Sequence, residues 1–191
     1  SKVTDQDGKT VIDNTADSWV AMKETTAYFM NKYLRQVITS GTGGSAGFSG
    51  MTVAGKTGTT TDNYDRYFVG YTPYYVAAVW TGYEVNIKIN ASGNPSAKLF
   101  RQVMSKIHTN LPNKSFFSVD SGLTSVKVCM DCGNLASDLC AQDIRGSRVK
   151  TVEVASGTAP TAVCTCHVAV DWCTEGEAVA TEFCPTDQVV Q

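Results

Sequence analysis

The sequence has 191 residues, of which 42% are hydrophobic and 18% charged, with a formal net charge of -2. This balance excludes a disordered chain and leaves no basic footprint for a nucleic-acid backbone or an anionic membrane. The longest apolar run, residues 74–80, is far shorter than the roughly 20 residues a bilayer span needs, so no membrane span is expected.

In chain order, residues 3–12 form two β-prone runs around Asp7-Gly8, a hairpin signal because glycine tolerates positive φ. Residues 18–38 read as a helix capped by Asp17 or Ser18. Val20, Ala27, Met30, Leu34, Val37 and Ile38 recur there at helical spacing and predict a buried face. Residues 40–50 are a Gly/Ser-rich loop. Three strand-like runs follow at 51–60, 66–71 and 74–83, the last two joined at Thr72-Pro73 as an antiparallel hairpin. Residues 96–108 place Leu99, Phe100, Val103, Met104 and Ile107 on one helical face able to cover that sheet, with His108 as a terminus residue favoured by the helix dipole. The expected class is α+β, an antiparallel sheet covered by helices.

Near residue 118 the texture changes to short β-prone pieces with Cys and Gly, which predicts a division into 1–117 and 118–191. All seven cysteines lie beyond residue 128. Two segments, 129–140 and 173–184, share the pattern C-x5-[LV]-A-[ST]-[DE]-[LF]-C, an internal duplication that predicts a small β-rich module of two similar C-x10-C units. The chain opens on Ser1 with neither an initiator Met nor a signal segment, so a processed piece with its address upstream is expected.

Residues 50–57 satisfy the phosphate-loop pattern G-x4-G-K-[ST], but strand-like residues fill it and no helix-prone segment follows. On a strand, Lys56 and Gly58 share one face, and Thr57 and Thr59 the other. A cation beside a gap, flanked by hydroxyls on a backbone free to pair with an extended peptide, suits acyl transfer on peptides. For the tripeptide taken alone, an exposed lysine in a Thr-rich edge strand is the stronger reading.

Residues 51–83 resemble the third to fifth strands of the transpeptidase domain of class A penicillin-binding proteins. Lys56-Thr57-Gly58, then Phe68-Val69-Gly70-Tyr71-Thr72-Pro73, then Val79-Trp80-Thr81-Gly82-Tyr83 stand in that family's order. Residues 27–43 resemble the preceding helix and Ser-Gly-Thr-Gly loop, and residues 94–108 the final packing helix. The resemblance therefore covers residues 1–117 and implies an incomplete transpeptidase/β-lactamase-like fold. It implies that a serine in an S-x-x-K motif attacks the D-Ala-D-Ala amide of a peptidoglycan stem peptide, and that a second stem's amine resolves the acyl-enzyme. It further implies that Lys56 supplies positive charge near the nucleophile and the substrate carboxylate, and that Thr57 and Thr59, with Thr60 beside them, form the substrate-binding strand. The Thr59 N–H would contribute to the oxyanion hole, and Gly58 would keep the strand clear of the nucleophile's helix. A β-lactam would mimic the peptide. No cofactor is expected, and the implied location is the extracytoplasmic face of a bacterial membrane, anchored by a segment outside this sequence.

Nothing before Lys56 fits S-x-x-K or S-x-N. Ser147-Arg148-Val149-Lys150 and Ser92-Gly93-Asn94 spell them only after the strand, and are read as chance matches. The chain alone is therefore expected to form no acyl-enzyme. Lys-Thr-Gly also serves D,D-carboxypeptidases and serine β-lactamases; the runs at 68–73 and 79–83 favour the transpeptidase. A module that binds cell-wall peptides or a partner without catalysis is the non-enzymatic reading.

An extracytoplasmic setting permits disulfides, and the duplicated spacing suggests Cys129 with Cys140 and Cys173 with Cys184. The rival reading is zinc: Cys129, Cys132, Cys164, Cys166 and His167 supply thiolates and an imidazole at knuckle-like spacing.

Overall fold

The computed structural model describes residues 2–14 and 18–190 and divides into two compact units, Ser1–Val119 and Asp120–Gln191. In the first unit, β1 (Lys2–Thr4) and β2 (Thr10–Asp13) form an exposed antiparallel hairpin. Its turn is held by the Asp5 carboxylate, which accepts from the N–H groups of Asp7 and Lys9 at 3.0 and 2.8 Å, while Gly8 takes φ 79°.

Helix α1 (Glu24–Thr39) begins later than expected, after the extended, uncapped Lys23. Of the two expected caps, Ser18 is non-helical and Asp17 lies outside the described residues. Trp19 and Val20 are exposed, as are Ala21 and Met22, so this apolar run covers no surface among the described residues. The remaining stripe is half-buried rather than buried: Ala27, Leu34, Val37 and Ile38 are partly covered, and Met30 is exposed.

The strands β3 (Ala54–Thr59), β4 (Asp65–Tyr71) and β5 (Val76–Gly82) form an antiparallel sheet in the order β3-β4-β5, leaving β3 at an edge. Helix α2 (Pro95–Ile107) covers one face, capped by the Asn94 side chain, which accepts from the Ala97 N–H at 3.2 Å. The core of this unit is Ala46, Val53, Phe68, Ala97, Phe100 and Met104, with the Phe68 and Phe100 rings edge-on at 4.8 Å. Gly55 and Gly70 face each other across β3 and β4, and a Cβ on either would meet the Phe68 ring at 2.7 or 2.5 Å. The missing side chains are what let that ring lie over the pair.

The buried face of α2 is Ser96, Ala97, Phe100 and Met104, so Leu99, Val103 and Ile107 flank it as half-exposed residues. On this face Ser96 approaches closely enough for its hydroxyl to donate to the Arg66 carbonyl at 2.7 Å. His108 caps the C-terminus of α2 but is buried, contrary to a simple dipole role. Its Nε2 pairs with Thr72 Oγ1 at 2.9 Å and its Nδ1 with the Met104 carbonyl at 2.7 Å, fastening the Thr72-Pro73 turn to the helix.

In the second unit, β6 (Leu123–Cys129) pairs antiparallel with β7 (Val149–Ala155), and the single-turn α3 (Asp138–Ala141) lies between them in sequence. A small sheet follows, built from β8 (Trp172–Cys173), β9 (Ala178–Val179) and β10 (Val189–Val190) in the order β10-β8-β9. No helix among the described residues is long and apolar enough to cross a membrane.

Candidate functional site

The register of β3 builds the first candidate site. Lys56 stands opposite Val69, which stands opposite Ala78; Gly58 stands opposite Tyr67, which stands opposite Trp80. Residues directly opposite share a face, so these six form one surface, the side of the sheet away from Phe68. That surface is open: Tyr67, Val69 and Trp80 are 42, 49 and 53% exposed. Lys56 is exposed on it and donates from Nζ to the Thr57 carbonyl at 3.1 Å. A Cβ on Gly58 would lie 3.1 Å from Tyr67 Cβ, so the space beside Lys56 is bounded by the Tyr67 side chain. Trp80 is fixed by its Nε1–H, which donates to Asp65 at 2.8 Å.

Thr57 points the other way, and its Oγ1 pairs with Thr42 Oγ1 at 2.9 Å, joining the strand to the Ser-Gly-Thr-Gly loop. Thr59 Oγ1 accepts a long 3.5 Å bond from Arg66. Thr60 lies just past the strand, where its Oγ1 accepts from the Asp65 N–H at 2.9 Å and holds the β3–β4 turn. The strand continues straight through Lys56 and no helix follows it, which removes the phosphate-loop geometry. A groove of about 500 Å³ between α1 and residues 115–118 contains no β3 residue.

The displaced motifs have structural work. Asn94 caps α2 and its Nδ2 donates to the Tyr67 carbonyl at 2.9 Å, beside Gly93 at φ 74°. Ser147 Oγ accepts from the Val149 N–H at the start of β7, in the unit that does not contain Lys56.

The second candidate site is a sulfur cluster. All seven cysteines are thiols in the structure. The ligand atoms of Cys129, Cys140, Cys164 and His167 lie within 4.8 Å of one another, as do those of Cys129, Cys132, Cys164 and Cys166. His167 Nδ1 stands 3.6, 3.3 and 3.5 Å from the sulfurs of Cys129, Cys164 and Cys166. Its Nε2 faces Asp143 at 2.9 Å and Asp131 at 3.2 Å. Arg145 holds both carboxylates at 2.7 Å, and Arg148 also holds Asp131 at 2.7 Å. The hydrogen bond from His167 pulls the Cys164 thiol down to about 5, and the Cys164 contact pushes Cys166 up. Hydrogen bonds from Arg145 hold Asp143 well below the ordinary carboxylate range.

The duplication is visible as a repeated turn. The Ser137 N–H donates to Cys140 Sγ at 3.3 Å, and the Thr181 N–H to Cys184 Sγ at 3.4 Å. Sequence spacing pointed to the two short Cys motifs and His167, and to Cys140 as a disulfide partner of Cys129, but not to Asp131 and Asp143 behind the imidazole or to Thr42 behind Thr57. The Thr42 contact had a signal in the Ser-Gly-Thr-Gly loop; the acidic residues had none.

The model of the penicillin binding protein transpeptidase domain matches residues 2–105, and that of the penicillin-binding protein 1A C-terminal domain matches residues 119–169. Penicillin-binding protein 1A of Clostridium perfringens (strain ATCC 13124) is 37% identical over 169 residues, covering 87% of this chain and 20% of that protein. Penicillin-binding protein 1A/1B of Bacillus subtilis (strain 168) is 33% identical over 173 residues, 81% of this chain and 18% of that protein. The chain thus spans about a fifth of the length of the curated relatives it matches. In fold it is similar to the crystal structure of penicillin-binding protein 1A from Haemophilus influenzae, with a TM-score of 0.55, 17% identity and coverage of 85% of this chain and 29% of that one.

Proposed function

The chain belongs to the penicillin-binding protein transpeptidase family, and on that premise we propose that β3 forms the substrate-carboxylate side of a peptidoglycan D,D-transpeptidase site whose nucleophile comes from outside these 191 residues. The observation that carries the reading is Lys56-Thr57-Gly58 on an edge strand, with Lys56 exposed on a sheet face that α1 reaches at its Ala54/Tyr71 end and that is open around Lys56 and Trp80. An extended stem peptide fits along such an edge because main-chain groups there have no strand partner among the described residues, and alternate side chains flank it.

In this reading the nucleophilic serine attacks the carbonyl of the penultimate D-Ala and its proton passes to a neighbouring base. The terminal D-Ala leaves as the acyl-enzyme forms, and the amine of a second stem attacks that ester, releasing the serine and creating the cross-link. Lys56 supplies the positive charge that keeps the nucleophile's surroundings and the substrate carboxylate favourable. The Thr59 N–H donates to the developing oxyanion, where fixed donors stabilise charge most. Thr57 and Thr59 donate to the carboxylate. Thr42 acts through Thr57 as a positioning residue: donating its own proton to Thr57 Oγ1 leaves the Thr57 hydroxyl proton for the substrate. Gly58 leaves the strand low enough for Tyr67 to flank the site. The open face carrying Tyr67, Val69 and Trp80 is where the nucleophile-bearing part of the domain packs.

This function belongs outside the cytoplasmic membrane, with peptidoglycan stems and β-lactams as ligands. Cys173 and Cys184 are proposed to pair there as a disulfide. The test uses the full-length protein containing the S-x-x-K serine. Lys56→Ala should slow acylation by labelled penicillin by about a hundredfold while the protein stays folded, and undiminished labelling overturns the role of the strand.

A further inference from the structure

The second unit buries no large aliphatic or aromatic side chain among its described residues. Its buried hydrophobic positions are Cys129, Cys140, Cys164 and Cys173, while Ile144, Val168 and Phe183 are exposed. A unit of about 70 residues rarely holds one conformation on so small an apolar core, and comparable domains add cross-links or a metal. We propose that Cys129, Cys140, Cys164 and His167 hold one structural zinc ion, with Cys132 and Cys166 at the exposed rim of the same cluster.

Geometry carries the assignment. Zinc bonds of about 2.3 Å to sulfur and 2.1 Å to nitrogen, at tetrahedral angles, put ligand atoms roughly 3.5 to 3.8 Å apart. His167 Nδ1 lies 3.6 Å from Cys129 Sγ and 3.3 Å from Cys164 Sγ, and the whole quartet fits within 4.8 Å. Of the two quartets that share Cys129 and Cys164, this one has all three sulfurs buried, whereas Cys132 and Cys166 face solvent.

The imidazole is also aimed from behind. A zinc ion bound at Nδ1 leaves the imidazole proton on Nε2, facing Asp143 and Asp131, and Arg145 and Arg148 fix those carboxylates in turn. Carboxylates in this position orient a ligating histidine and strengthen it as a donor. The thiolates have donors of their own: the Asp131 N–H reaches Cys129 Sγ at 3.4 Å and the Ser137 N–H reaches Cys140 Sγ at 3.3 Å. Three thiolates and one imidazole form a soft, closed set suited to zinc rather than to hard cations, and a closed set is structural rather than catalytic. The second copy of the duplication keeps the Cys pair but has Gly176 where the first has Cys132, and among the described residues neither Cys173 nor Cys184 belongs to a cluster of candidate ligand atoms. It therefore serves as an internal control. The proposal is independent of the transpeptidase reading, since no residue of the first unit takes part.

The test uses the whole 191-residue chain purified under reductant. Elemental analysis should find about one zinc per chain. Cobalt loaded in its place should show tetrahedral ligand-field bands with thiolate charge transfer. Cys164→Ser should lose the metal, and Cys173→Ser should keep it. Asp143→Asn should keep the site but weaken zinc affinity by roughly 10- to 100-fold in competition with a chelating dye, a readout that does not depend on losing the fold. A reduced wild-type chain without stoichiometric metal, a Cys164→Ser chain that retains it, or a Cys129–Cys140 disulfide in unreduced peptide maps would overturn the proposal.

Discussion

Up to Val119 the chain buries Phe68, Phe100 and Met104 between a sheet and a helix, whereas from Asp120 onward its fully buried side chains are sulfurs. In the first unit many weak contacts add up, so loss of one side chain lowers stability by a graded amount. In the second, a few directional bonds replace that sum, and removing their common centre removes them together. The same difference runs through the two candidate sites. The β3 surface is open around Lys56, while the Cys/His cluster has the sulfurs of Cys129, Cys140 and Cys164 buried.

The largest effect expected is on the second unit. Stripping the metal with a chelator should abolish amide-exchange protection in β6 and β7 and leave α2 and β4 protected, since structural zinc contributes about 10 to 16 kcal/mol in small zinc-folded peptides. Simultaneous loss in both units would break the distinction. Next is Phe68→Ala, which should cost about 3 to 5 kcal/mol of first-unit stability in denaturant melts without changing zinc content. Lys56→Ala separates site from scaffold. In the full-length protein its acylation rate should fall by about a hundredfold, a scale typical of removing one fixed electrostatic partner, with an unchanged melting temperature. The smallest effect is Thr42→Val. It removes one partly exposed hydrogen bond, so stability should fall by about 1 kcal/mol, while the Michaelis constant for a stem-peptide substrate rises more than kcat falls.

The β3–β4–β5 meander was legible because alternation, the Thr72-Pro73 turn and β-branched residues all pointed the same way, and α2 because its apolar period was strong. The start of α1 was not, since Val20 supplied periodicity without a surface to cover. The buried face of α2 kept Phe100 and Met104 but took in Ala97 and Ser96, whose hydroxyl bonds the Arg66 carbonyl, in place of Leu99, Val103 and Ile107. Lys56 was legible from its motif, but its neighbours Tyr67 and Trp80 follow only from the register. Spacing also gave four of the five clustered cysteines and His167. The duplication paired Cys140 with Cys129 as a disulfide rather than with Cys164 and His167, and Asp143 reaches the cluster through tertiary packing, which no local pattern encodes.

The central claim is that this chain carries the carboxylate-binding strand of a transpeptidase site without its nucleophile. Incubating the 191-residue chain and the full-length protein with a labelled penicillin, then measuring intact mass, tests it directly. The account predicts an acyl adduct on the full-length protein alone, and a stoichiometric covalent adduct on the isolated chain would contradict it.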